Sequence, residues 1–101
     1  MKRKYEGGVW IEEGKPALMG VTKEFIEDSG DVTYINFKKE AGDTFEEGEI
    51  MATLETAKAV AEIKAPVSGK VVEVNKTLAD NPDQLNEDPE NVWIFKIEIS
   101  E

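Results

Sequence analysis

Neither cysteine nor histidine occurs anywhere in the chain. The first absence rules out a disulfide framework and a catalytic thiol. The second removes the commonest general base, and the two together remove the usual transition-metal ligands. Serine and threonine are present, but the usual Ser-His-Asp arrangement cannot be assembled without histidine. Long hydrophobic runs are missing as well. Apolar stretches last only a few residues, far short of the roughly 20 that a membrane-spanning helix needs. Met1-Lys2-Arg3-Lys4 is basic, yet no apolar stretch follows it, so no secretion signal is read there and a cytoplasmic protein is expected. A chain this poor in reactive groups points away from an enzyme. It points to a binding module, a structural piece, or the carrier of a borrowed group.

What is present is acidic and mainly β-like. With 101 residues the chain is expected to form one domain over 1–101, and 40% hydrophobic residues suit a real but small core. The formal charge of −10 argues against nucleic acid and anionic membrane as partners, because both would repel the chain. Acidity can serve solubility alone. It can equally steer a carrier onto basic surfaces of partner enzymes.

Short β-branched and aromatic runs alternate with glycine turns. Val9 to Ile11 and Ala17 to Val21 read as an opening hairpin around Glu12-Glu13-Gly14-Lys15. Further strands are expected at Val32 to Phe37, Glu49 to Glu55, Val60 to Lys64, Lys70 to Val74 and Val92 to Ile99. One short helix interrupts them, with Thr22 as N-cap, Glu24 in the first turn, Phe25 and Ile26 as its apolar side, and Gly30 as a left-handed stop. A second helical turn is allowed at Leu78 to Asp80, and Leu85 to Pro89 reads as an ordered loop. The expected architecture is a flattened β-barrel or sandwich of two antiparallel sheets with one short helix, its core holding Trp10, Phe37, Val72 and Phe95.

The chemistry concentrates between residues 42 and 75. Two strand candidates flank Thr56-Ala57-Lys58-Ala59, and a tight antiparallel connection would put Lys58 at a hairpin tip. Ala57 and Ala59 are small and would not crowd an approaching active site. Spacing alone does not single out one of the eleven lysines.

Resemblance does. Glu55-Thr56-Ala57-Lys58-Ala59-Val60, followed by Ala65-Pro66-Val67-Ser68-Gly69, resembles the lipoyl-attachment hairpin of glycine-cleavage H proteins. The likeness continues through Asn81-Pro82 and Leu85-Asn86-Glu87-Asp88-Pro89 to Trp93-Ile94-Phe95-Lys96-Ile97, in the family's order. Lipoyl domains of acyltransferases share the Glu-Thr-x-Lys-Ala core without that tail, and biotin carriers usually flank their lysine with methionines. The resemblance implies a barrel-sandwich fold and lipoic acid carried covalently on Lys58. It also implies recognition of the flanking Glu55 and Ala59 and contact between Glu62 and the arm. The implied role is a non-catalytic shuttle moving an aminomethyl group. Its implied partners are glycine decarboxylase, aminomethyltransferase and dihydrolipoyl dehydrogenase, with a lipoate ligase or a lipoyl/octanoyl transferase to load it.

Departures from the family pattern keep other readings open. Gly7-Gly8-Val9-Trp10 stands where the family usually has Ser-His-Glu-Trp, which leaves Glu62 as the expected carboxylate facing a cationic amine. Glu90-Asn91-Val92-Trp93 replaces a Tyr-Gly-x-Gly-Trp approach, and Phe37-Lys38-Lys39 replaces a Leu-Pro-Glu piece. The usual C-terminal helical tail has no counterpart before Glu101. H-like lipoate-binding proteins that carry sulfur in a heterodisulfide-reductase-like pathway, or that act in lipoyl relay, fit these departures. An unmodified β-sandwich adaptor is the third reading, and it leaves the lysine hairpin unexplained.

Overall fold

A computed structural model describes residues 2–100. Nine strands form two antiparallel sheets that stay open: β1 (Arg3–Glu6), β2 (Val9–Glu12), β3 (Ala17–Val21), β4 (Val32–Phe37), β5 (Thr44–Phe45), β6 (Ile50–Thr56), β7 (Val60–Lys64), β8 (Gly69–Val74) and β9 (Phe95–Ile99). The larger sheet has the order β1-β2-β3-β9-β8-β5 and the smaller β4-β6-β7. Both contribute to one core, from Met19, Val71, Phe95 and Ile97 on one side to Ile35, Leu54 and Ile63 on the other. The expected mainly-β sandwich is the observed one.

The helical content exceeds the single helix expected. Helix α1 (Lys23–Ser29) is capped as read: the Thr22 hydroxyl accepts from the Phe25 N–H at 3.1 Å. Gly30 ends it with φ 90° and ψ 179°, outside the left-handed helical well and in a region open essentially only to glycine. Two further helices, α2 (Thr77–Asp80) and α3 (Asp83–Glu87), and a 3-10 turn at Pro89–Asn91 fill the segment expected to be mostly loop. Leu78 and Leu85, spaced seven apart and wholly buried, pull this segment onto β4. Each is a single core anchor in a polar stretch, too sparse to show helical periodicity.

Asn86 fixes where that segment meets the small sheet. Its side-chain oxygen accepts from the Val32 N–H at 2.8 Å, and its amide donates to the Val32 carbonyl at 3.0 Å. One side chain thus satisfies both backbone groups of a buried residue at the first position of β4.

Two sequence expectations need correction in the larger sheet. A strand precedes the opening hairpin: β1 pairs with β2 across Gly7-Gly8, whose φ values of 58° and 81° are both positive, as a two-residue hairpin turn requires. The two glycines form a turn, and a Cβ on Gly8 would meet Phe25 Cδ2 at 2.6 Å. Val72 is not a core residue; it is 42% exposed. Ordinary alternation puts Gly69 and Val71 inward and Lys70 and Val72 outward, and a register shift between Val71 and Glu73 makes β8 bulge beyond that point. Trp10 and Phe95 are buried as expected, and Phe37 is half-buried, edge-on to Phe95 with centroids 5.8 Å apart. Trp10 lies across Gly20, its cross-strand partner, where any Cβ would overlap the indole. Its Nε1 donates to the Pro89 carbonyl at 3.2 Å, and the Arg3 guanidinium covers its ring at 4.0 Å.

Truncating Phe95 to Ala is expected to cost about 3–5 kcal/mol, read as a lowered urea midpoint with an unchanged slope. Asn86→Ala strands two buried backbone groups and should cost about 1–3 kcal/mol. An Asn86→Ala melt matching wild type would show that water replaces the side chain.

Candidate functional site

β6 and β7 form a hairpin whose tip is Ala57-Lys58-Ala59. Thr56 builds that tip. Its hydroxyl accepts from the N–H groups of Lys58 and Ala59, each at 3.2 Å, and donates to the Ala59 carbonyl at 2.9 Å. The Thr56 N–H donates to the same carbonyl at 3.0 Å. One hydroxyl thus uses its donor and both acceptor sites to hold the turn. Lys58 and both neighbouring alanines are exposed. Among the described residues no carboxylate lies within ion-pair distance of the Lys58 ammonium.

The Lys58 stem has a definite resting place. A Cβ built on Gly30 would lie 3.6 Å from Lys58 Cδ and 3.8 Å from Cε, so the aliphatic chain passes over the bare backbone at the end of α1. That end borders a cleft of about 750 Å³. Its walls are the β1–β2 turn, the outer side of α1 and the start of β7.

The four residues singled out from the sequence separate into two groups. Lys58 and Ala59 form the tip, and Glu55 stands exposed near the end of β6. Glu62 lies on β7 in the wall of the cleft, together with Gly7. Val9 does not line the cleft: it points into the core. The cleft also holds Glu6, Glu24 and Asp28, which make no ion pair or side-chain hydrogen bond among the described residues. The expectation of Glu62 as the sole carboxylate facing an amine is therefore corrected: three more acids share the cleft. Glu90 also borders it but is engaged, accepting from the Lys23 N–H at 2.8 Å.

The shifted ionisations lie elsewhere. Burial opposes the charge of Arg3, and its interactions with Glu12 and Tyr5 together outweigh that and raise its pKa. Glu49 is held below the ordinary carboxylate range, first by Lys39 and then by the Glu46 N–H. Neither group lies at the tip of the lysine hairpin; Glu49 stands at its base, where its carbonyl accepts from the Ala65 N–H at 2.9 Å.

The profile of glycine cleavage H-proteins matches residues 1–101. The chain belongs to that family. It is similar to the glycine cleavage system H protein of Thermotoga maritima, 42% identical over all of this chain and 82% of the relative. It is also similar to that of Dinoroseobacter shibae, 43% identical over 91% of this chain and 76% of the relative. The crystal structure of a glycine cleavage system H protein from Mycobacterium marinum superposes with a TM-score of 0.87 at 29% identity, over 97% of this chain and 84% of that one. Proteins of the family are carrier subunits, not catalysts, and hold lipoic acid covalently on a lysine.

Sequence reasoning missed Thr56 and Gly30. A threonine one residue before a small-residue turn is the signal for the first, because its hydroxyl can close the turn. The second emerges only when α1 and the hairpin are placed side by side.

Thr56→Ala should loosen the tip by about 1 kcal/mol per hydrogen bond lost. Amide hydrogen exchange at Lys58 and Ala59 should quicken, and Thr56→Ser should restore protection. Unchanged exchange in Thr56→Ala would mean that the strand ends alone hold the turn.

Proposed function

We propose that the chain is the lipoyl-carrying shuttle of the glycine cleavage system and that Lys58 is its attachment residue. The observation that carries this is an unpaired, exposed amine on a hydrogen-bonded tip, beside a cleft lined with free carboxylates. The residues fit the group. A primary amine in solvent can be acylated without unfolding, Ala57 and Ala59 clear space for the acylating enzyme, and no ion pair has to be broken first. When bound, the lipoyl group supplies a disulfide that opens to accept and carry the aminomethyl group, chemistry that a chain without cysteine or histidine cannot perform.

The chain's own residues present and shelter that group. Thr56 fixes the direction in which the lysine leaves the sheet, and Gly30 lets its stem lie flat toward α1. A cationic group entering the cleft meets Glu62 together with Glu6, Glu24 and Asp28, and carboxylates there offset the cost of leaving water. Glu55 and Ala59 stand where an enzyme reaching Lys58 has to touch. The partners this reading requires are glycine decarboxylase, aminomethyltransferase and dihydrolipoyl dehydrogenase, and a lipoate ligase or a lipoyl/octanoyl transferase loads the lysine. The chain's −10 charge favours encounter with basic docking surfaces on them.

Incubation with a lipoate ligase, lipoate and ATP should add one lipoyl group, mapped by peptide mass to Lys58. Lys58→Arg should take up none and melt like wild type, within about 0.5 kcal/mol, because an exposed tip residue contributes little to stability. An adduct on Lys64 or Lys70, or none at all, would overturn the assignment.

A further inference from the structure

β1 ends the larger sheet, so one of its edges carries backbone groups that no strand of the sheet meets. Which residues turn those groups outward follows from the register. The Glu13 N–H donates to the Lys2 carbonyl at 2.9 Å, and the residues from Arg3 to Glu6 pair in turn with those from Glu12 back to Val9. Bonded and non-bonded pairs alternate along an antiparallel ladder. Lys2, Lys4 and Glu6 therefore direct their backbone groups to β2, and Arg3 and Tyr5 direct theirs to the free edge. The side chains leave that edge open. The Arg3 guanidinium is drawn back to Glu12 at 3.0 Å and to the Glu90 carbonyl at 2.6 Å. Tyr5 is 59% exposed, and Lys4 and Glu6 are exposed on either side of it. Lys4 has one loose ion pair, with Glu13 at 3.9 Å, and Glu6 has none among the described residues.

We infer that this edge pairs with the same edge of a second copy of the chain, antiparallel and centred on Tyr5. A twofold axis through an antiparallel strand pair sets one residue opposite itself. Each of the four residues of β1 could be that centre. Arg3, Lys4 or Glu6 there would set like charges face to face, which destabilises a sheet. Tyr5 at the centre sets Lys4 of each copy opposite Glu6 of the other. It also brings the outward N–H and C=O of the two Tyr5 residues together and lays their rings side by side. The contact is short, well below the area of a standard stable interface, and each copy carries −10. The pairing is accordingly weak, with a Kd of roughly 0.1–1 mM. Its consequence lies at the cleft, which Glu6 lines with Glu24, Asp28 and Glu62. Each copy brings a lysine to a carboxylate of the other's cleft. The inference stands on β1 and does not require Lys58 to be the attachment residue.

The test is sedimentation equilibrium of the full chain at physiological salt, from roughly 0.01 to 2 mM. The mass should rise from 11.3 kDa toward twice that value. Lys4→Glu and Glu6→Lys should each weaken the dimer at least about tenfold, because each turns two opposite-charge pairs into like-charge pairs. The first makes the chain more acidic and the second less, so general repulsion would move the two in opposite directions. Lys4→Glu combined with Glu6→Lys should bring association back to within about threefold of wild type. Tyr5→Pro removes an N–H that points away from the sheet, which an edge strand tolerates, so it should melt like wild type and stay monomeric. A mass of 11.3 kDa at every concentration overturns the inference. Opposite shifts in the two single variants overturn it in favour of net charge alone. A double exchange that stays dissociated, or a Tyr5→Pro dimer as strong as wild type, overturns it in favour of a contact elsewhere on the surface. Should Tyr5→Pro lose its fold, the double exchange decides.

Discussion

The contact between Asn86 and Val32 is the constraint from which the site is built. The small sheet has only three strands, and β4 is one of its two edges. An edge strand can slip, and a slip of one residue would turn its core face outward. Asn86 holds both backbone groups of Val32, the first residue of β4, and Val32 is paired with Thr56. Thr56 in turn holds the amides of Lys58 and Ala59. A chain of backbone contacts therefore runs from the helical segment, through the edge strand, to the lysine tip. The segment after β8 acts as the clamp on the functional hairpin, although it is remote from Lys58 in sequence.

That rigidity suits the long flexible appendage proposed for Lys58. A carrier arm raises the effective concentration of its reactive end only if its root stays fixed relative to the docked enzyme. The proposed root is a turn whose Lys58 and Ala59 amides are held by Thr56, on strands whose inner faces pack against the core. Freedom begins only at the lysine side chain, and even that stem has Gly30 to lie on. A larger residue at position 30 would have to adopt φ 90° with ψ 179°, so the same glycine ends α1 and leaves the passage clear.

Much of this could be read from the chain. The bounds of β4 and β7, the Thr22 cap and the exposed Lys58 follow from β-branched runs, a capping residue and small flanks, all of them local signals. What escaped reading depends on register or on tertiary placement. Val72 reads as a core residue by its type, but it shares its face of β8 with Lys70, and its neighbour Val71 takes the inward place. Gly7-Gly8 reads as lost polar groups when set against the family pattern. In the folded chain it is a turn that Phe25 packs against. The cleft acids come from β1, α1 and β7, and no sequence spacing brings those elements together.

The last step concerns where the acidity sits. A net charge of −10 spread evenly would serve solubility and little else. Here Glu6, Glu24, Asp28 and Glu62 line one cleft and pair with no cation among the described residues, which gives that cleft a negative field. The stem of Lys58 already lies along the end of α1 that borders this cleft. In the role proposed for Lys58, acylation removes its positive charge, so the cleft no longer attracts the root of the arm. The field then selects on whatever the arm carries at its far end. A neutral end gains nothing by entering, and a cationic end is drawn in. In that proposed role the same carboxylates would favour a cationic, loaded arm over a neutral one.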